Sequence, residues 1–169
     1  INDVSALGFD PESAGVAMVA RAPVILMHAQ GDPKTMQLNP RYQDVLLDVY
    51  DALEASLAQA ETAGLARDAL CIDPGIGFGK TFPQNLELMA GLSLFHGLGV
   101  PVLVGLSRKG FIGAITGEKA PSERVFGSVG GALHAAQQGV HILRVHDVKA
   151  TVQALSMFTA SCDPDSVEF

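Results

Sequence analysis

Short, nearly continuous apolar runs alternate along this chain with longer stretches whose apolar residues recur at helical spacing. INDV (1–4), VILMH (24–28), LCID (70–73), VLVG (102–105) and HILRV (141–145) are predicted to be β-strands. Most lack alternation, as expected for parallel strands covered on both faces. Between them lie helix signals. Asp10 and Pro11 mark the N-cap and first turn of a helix reaching about Ala20. Asn39 and Pro40 repeat that device ahead of Leu46, Val49, Tyr50, Leu53 and Leu57, and Gly64 is the expected stop. Asn85 is expected to cap a helix holding Leu88, Met89 and Leu92. Pro121 and Ser122 open another, rich in small residues (Gly127, Gly130, Gly131, Ala132, Ala135, Ala136) and ending near Gly139. Asp147 is expected to cap the last.

The strand–loop–helix unit recurs about every 30 residues, the scale of a βαβ step. Five such units fit, with no linker or low-complexity tract, so residues 1–169 are expected to form a single domain. Two α/β architectures are open: a doubly wound sheet and a TIM-type (β/α)₈ barrel. A barrel takes about 250 residues, so five units would be its C-terminal part. The opening on INDVS, without Met and already in strand pattern, favours the partial barrel, with about three units expected upstream.

Composition narrows the picture. The 48% apolar and 17% charged content of this 169-residue chain describes a folded domain with a core. A net charge of −7 argues against nucleic acid as partner. Cys71 and Cys162 make no disulfide framework. No stretch is apolar enough to span a bilayer and no signal peptide is evident, so a cytoplasmic location is expected.

Ligands of parallel α/β sheets bind at the carboxyl ends of strands. Those ends read Asn2 and Asp3; His28; Asp73; Gly105 followed by Ser107, Arg108 and Lys109; and Arg144 with His146. Five polar ends in register point to a site there. Some have plainer readings: Asp3 as a turn cap, Arg108 as a surface charge, Arg144 as the structural partner of a carboxylate. His28 stays open between ligand contact and structure. His96, His134 and His141 read as structural, and no histidine pair has metal-ligand spacing. Arg144 and His146, two apart, leave one face of the strand end and suit an anion such as phosphate.

The loop PGIGFGKT nearly matches the phosphate loop G-x-x-x-x-G-K-[ST], but Pro74 replaces its first glycine. Pro83 also falls where that loop's helix would be under way, at a cost of about 3 kcal/mol. The glycines do not space as G-x-G-x-x-G either. Alternating glycines instead make a tight loop that leaves Asp73 reachable. Its carboxylate is a base, a metal ligand or a two-oxygen acceptor; the last suits a planar edge with two adjacent N–H donors, as in a 2-amino-4-oxopteridine.

Taken together, INDVS, VILMHAQGDPKTMQ, IDPGIGFGKT, VLVGLSRKGFIG, ERVFGSVGGA and ILRVHDVKATVQAL resemble the dihydropteroate synthase family, folate-pathway enzymes inhibited by sulfonamides, in family order up to about residue 157. The enterobacterial-type branch is the most similar. The resemblance implies a (β/α)₈ barrel that joins 6-hydroxymethyl-7,8-dihydropterin diphosphate to para-aminobenzoate and releases pyrophosphate. It implies that Asn2 and Asp73 hold the pterin edge, and that Met27, Phe78 and Gly105 line the pterin slot. Lys109 contacts the pterin and, with Gly110, the aminobenzoate side. Arg144 and His146 contact the pterin face and the diphosphate, and with Lys109 make up the implied catalytic set. Ser107 and Arg108 shape the SRK loop, which Arg124 braces. Mg²⁺ is implied with the diphosphate, its protein ligand expected upstream of Ile1, and a homodimer is implied. Gly110 stands where the family often has serine. The family's first three units carry mobile loops and a further pterin-binding Asp, so this segment alone is expected to lack synthase activity. Two rival readings are a pterin-binding barrel of the methyltetrahydrofolate methyltransferase type and a non-catalytic piece that binds pterin or oligomerises.

Overall fold

Five parallel strands stand side by side in chain order, each followed by helix. The computed structural model describes residues 1–31, 36 and 38–166; of the stretch VILMHAQGDPKTMQ, residues 32–35 and 37 lie outside the described residues. The elements are β1 (Asn2–Asp3), α1 (Ser13–Val19), β2 (Val24–Met27), α2 (Val45–Thr62), β3 (Leu70–Asp73), α3 (Phe82–Ala90), β4 (Leu103–Val104), α4 (Gly110–Thr116), α5 (Val125–Gln137), β5 (Ile142–Leu143) and α6 (Val148–Cys162). β1, β2 and β3 form one hydrogen-bonded group and β4 with β5 a second, joined by the parallel bridge Ile72–Val102. Pro101, which has no N–H to donate, sits at this seam and accepts from the Ile72 N–H at 3.0 Å. A doubly wound sheet reverses its strand order partway across. The sequential order here is that of a barrel wall.

Register sorts the side chains into two faces. Leu26, Ile72 and Val102 align on the outer face, with Val104 two residues on, and all are buried against the helices together with Val49, Leu53, Leu88, Phe95 and Ala135. Fully burying one such side chain is worth about 1.5–3 kcal/mol. The inner face carries Asn2, Ile25, Met27, Cys71 and Asp73 by strand register, continued by Leu103, Gly105, Ile142 and Arg144. This second set ends at the carboxyl rim.

Helix boundaries differ from the sequence reading where a better cap competes. α2 starts at Val45, not at Pro40, because the Asp44 carboxylate accepts from the Leu46 and Leu47 N–H groups. α3 starts at Phe82, under a reciprocal capping box of Thr81 and Gln84 with proline in its first turn. Asn85 is therefore inside the helix and buried, not at its cap. Asp10 contributes an Asx turn to Glu12, ahead of the Ser13 start of α1. α4 was not expected, since Gly110, Gly113 and Gly117 interrupt its pattern. The small residues of α5 serve packing within the chain: a Cβ at Gly131 would lie 2.8 Å from Leu106, and one at Gly127 2.5 Å from Ile112. Asp147 precedes α6 but caps nothing with its side chain, which pairs with Arg108 instead.

Candidate functional site

Asp73 closes β3 and is 1% exposed. Its Oδ1 accepts from the Gly75 N–H at 2.8 Å, and the Arg144 Nη2 donates to Oδ2 at 3.4 Å. Arg144 belongs to the rim of β5, so its guanidinium crosses β4 to reach β3. It can do so because the residue beneath it is Gly105, where a Cβ would lie 2.7 Å from Nη2. Arg144 thus sits beside Asp73 rather than across the mouth from it, and both the anion-binding and the carboxylate-pairing readings of this arginine meet in one place.

Lys109 approaches from the loop after β4. Its Nζ donates to the Ile76 carbonyl and stands 4.4 Å from the centroid of the Phe78 ring, a cation–π contact. Gly77 admits the lysine stem, since a Cβ there would lie 2.9 Å from Lys109 Cδ. Burial lowers the Lys109 amine to about 8; Asp73 pulls it upward and Arg144 adds to the lowering. Burial also pushes the Asp73 carboxyl above its ordinary range, against the pull of the Gly75 N–H, Arg144, Lys109 and Lys80.

Phe78, Gly105, Ser107, Lys109, Arg144 and His146 line one cleft of about 210 Å³. His146 is held by Ser107, whose Oγ accepts the His146 N–H at 3.2 Å and lies 3.1 Å from Nδ1. Met27 pairs in register with Asp73 and, with Phe78, faces a neighbouring cavity of about 400 Å³. Gly110 lies beyond Lys109 in a third cleft, of about 480 Å³, where the Phe82 ring stands beside it. Asn2 shares the inner face but is exposed on β1, with no hydrogen-bond partner among the described residues.

The surrounding polar residues resolve as follows. Asp3 caps its own turn, accepting from the Ser5 and Leu7 N–H groups at 2.7 and 3.1 Å. Arg108 is no free surface charge: it makes a two-point pair with Asp147 at 3.0 and 2.5 Å. Arg124 Nη1 donates to the Arg108 carbonyl at 2.9 Å, bracing the loop. His96 lies 2.8 Å from the Gln138 carbonyl, His134 lies 2.9 Å from that of Met89, and His141 accepts from the Val102 N–H at 3.1 Å. These three stand away from the strand-end cleft.

Lys80 is the residue that sequence reasoning missed. It is 2% exposed, and its Nζ meets the carbonyls of Gly75 and Phe78 at 3.0 Å each and His28 Nδ1 at 2.9 Å. An amine this enclosed is lowered to about 7, first by burial. In its ammonium form Lys80 has no acceptor, so His28 Nδ1 then accepts and the ring proton sits on Nε2. Burial and Lys80 hold His28 neutral down to about 3. His28 Nδ1 is thus taken up by Lys80, while the residue also lines the cavity it shares with Met27 and Phe78. The available signal is a lysine ending the glycine run.

Comparison with known proteins adds a pedigree to this geometry. Residues 1–146 match the family described as "Pterin binding enzyme". The chain is 46% identical over 161 residues to the dihydropteroate synthase of Escherichia coli K12, covering 95% of this chain and 56% of that protein. It superposes on Yersinia pestis dihydropteroate synthase, solved as a complex with a sulfonamide drug, with TM-score 0.93 and 41% identity over 97% of this chain and 59% of the other. The Xanthomonas albilineans synthase in complex with 7,8-dihydropteroate gives TM-score 0.89 and 45% identity, over 99% and 60%. The chain therefore spans somewhat over half the length of these relatives, and its fold is that of part of a TIM-type barrel.

Proposed function

The chain belongs to the pterin-binding enzyme family, and from that premise we propose that it is the strand-end half of a dihydropteroate synthase site, joining 6-hydroxymethyl-7,8-dihydropterin diphosphate to para-aminobenzoate with release of pyrophosphate. The observation that carries this reading is the Asp73–Arg144–Lys109 cluster around the Phe78 ring. In this reading Asp73 accepts the two adjacent N–H groups of the pterin edge. Met27, Phe78 and Gly105 bound the slot, and Asn2 reaches the heterocycle from β1. Lys109 lines both the Arg144–His146 cleft and the Gly110–Phe82 cleft, so in this reading one amine touches both substrates. Arg144 and the Ser107-anchored His146 take the diphosphate.

The chemistry asked of the protein is modest. The C–O bond at the pterin methylene breaks, its electron pair leaves with the diphosphate, and the aromatic amine forms the new C–N bond and loses a proton. Holding both substrates in line lowers the entropic part of the barrier. Fixed donors of Arg144 and His146 stabilise the departing charge. No three His, Cys, Asp or Glu among the described residues cluster to hold a metal; in this reading Mg²⁺ would come with the diphosphate and neutralise its charge, and no described residue is assigned to hold it. Homodimer assembly is part of the reading and is supported by α6, where Val148, Val152 and Met157 are more than half exposed. So is a cytoplasmic home; among the described residues no helix is long and apolar enough to cross a membrane.

The test is a graft. This chain replaces the matching segment of the Escherichia coli relative, and pyrophosphate release is followed on mixing the two substrates. Release that depends on both substrates and disappears with Asp73→Asn is expected. A folded graft that binds pterin but releases no pyrophosphate overturns the synthase reading.

A further inference from the structure

Lys80 takes no part in the reaction described above, yet among the described residues it is one of the largest fully buried side chains and the one lysine among them. A buried cation needs hydrogen bonds from every side to offset lost hydration. Lys80 obtains them from two places: the β2 rim through His28, and the glycine loop through the carbonyls of Gly75 and Phe78. The loop cannot supply these contacts in an ordinary conformation. Gly75, Gly77 and Gly79 all have positive φ, at 68°, 82° and 65°. A Cβ at Gly75 would collide with the His28 carbonyl, and one at Gly79 with the carbonyl of Gln30. Asn85 completes the clamp from α3, its Oδ1 accepting from the Gly77 N–H at 2.5 Å and its Nδ2 donating to the Lys80 carbonyl at 3.3 Å. The loop so folded presents two groups to Lys109: the Ile76 carbonyl and the Phe78 ring.

We propose that Lys80 is a positioning residue: its buried amine pins the glycine loop to the end of β2, so that Ile76 and Phe78 hold the Lys109 amine in the ligand cleft before any ligand arrives. The assignment rests on the reading of Lys109 and Phe78 as ligand-facing, but the pinning itself does not. Without Lys80, the Gly75 and Phe78 carbonyls lose their shared donor and the His28 ring loses its partner. The loop then loosens, and Lys109 moves out towards solvent while its own neighbours Asp73 and Arg144 remain.

Lys80→Met keeps the stem and removes the donor. The experiment titrates the Lys109 amine by NMR of ¹³C-methylated lysines, the resonance assigned with Lys109→Arg, alongside calorimetry with 6-hydroxymethylpterin and a thermal melt. In the parent chain the Lys109 midpoint is expected near 8, and in Lys80→Met it moves towards the ordinary 10.5. Pterin affinity falls by about tenfold or more, equivalent to at least 1.4 kcal/mol. Lys80→Arg separates charge from geometry: it keeps the cation but not the three-way fit, so it moves the midpoint in the same direction. Should Lys80→Met not fold, His28→Leu removes one acceptor from the cage and is expected to shift the midpoint the same way by a smaller amount. A folded Lys80→Met or His28→Leu chain whose Lys109 midpoint equals the parent's overturns the proposal. If the parent binds no pterin, the site reading fails while the midpoint still decides the positioning role.

Discussion

The Arg144 guanidinium reaches Asp73 by lying across Gly105, so that residues from three neighbouring strands make one contact of 3.4 Å. The glycine is what allows an exposed rim cation to cover a buried carboxylate. Gly105→Ala is therefore expected to displace the guanidinium without unfolding the chain, since the clashing atom is the end of a flexible side chain. Loss of a hydrogen bond to a charged group costs about 1.5–3 kcal/mol, so pterin affinity should fall by about tenfold or more. Calorimetry beside an unchanged melting temperature checks this; unchanged affinity counts against the bridge.

Gly75 and Gly117 both have positive φ, but only Gly75 is enclosed. Alanine in the left-handed region costs about 1–2 kcal/mol. Gly117→Ala, in open space, should cost no more than that. Gly75→Ala adds a collision with the His28 carbonyl and should cost clearly more than about 2 kcal/mol by the same reckoning. Urea unfolding of both variants measures the difference, and equal losses would show that the loop relaxes freely.

His28 binds its proton far more weakly in the folded chain, at about 3, than at the ordinary 6.5. Between those values the unfolded chain carries the proton and the native chain does not. Its contribution to stability therefore rises with pH from about 3 to 6.5 and is lost on acidification. His28→Asn keeps an acceptor for Lys80 and removes the titration. At pH 5 the parent should take up about one proton more than the variant on unfolding. Identical pH–stability slopes in this window would contradict a buried neutral histidine.

Gly110 has ordinary helical φ and a Cβ there would touch the Phe82 ring at 3.5 Å, so Gly110→Ser fits without strain. The added hydroxyl lies in the cleft beyond Lys109 and gives a carboxylate or sulfonyl oxygen one more donor. Para-aminobenzoate or a sulfonamide should bind more tightly by about 0.5–1.5 kcal/mol, or roughly twofold to twelvefold. Inhibition constants measured in the grafted enzyme check this, and equal constants refute it.

The strand order and the rim residues were legible because parallel strands buried on both faces write themselves as apolar runs, and each run ends where polarity returns. Asp73, Lys109 and Arg144 converge as their positions at strand ends required. Helix starts were less legible: Asn39 and Asn85 are good caps in isolation, but Asp44 and Thr81 had better geometry and won. α4 was hidden by its three glycines, which no propensity scale rewards. Lys80 was invisible for a different reason. Burying a lysine depends on carbonyls that converge only after the glycine loop has folded, and no local pattern encodes that. The pairing of Asp147 with Arg108, 39 residues apart in sequence, is of the same kind.

Calorimetry of the 169-residue chain with 6-hydroxymethylpterin, run beside Asp73→Asn, tests the central claim most directly. Saturable one-to-one binding is predicted for the parent, with a loss of about 3 kcal/mol, roughly a hundredfold, when the charged acceptor becomes an amide. Equal affinity in a folded Asp73→Asn chain, or no binding by the parent, would contradict the assignment of this carboxylate to the heterocycle.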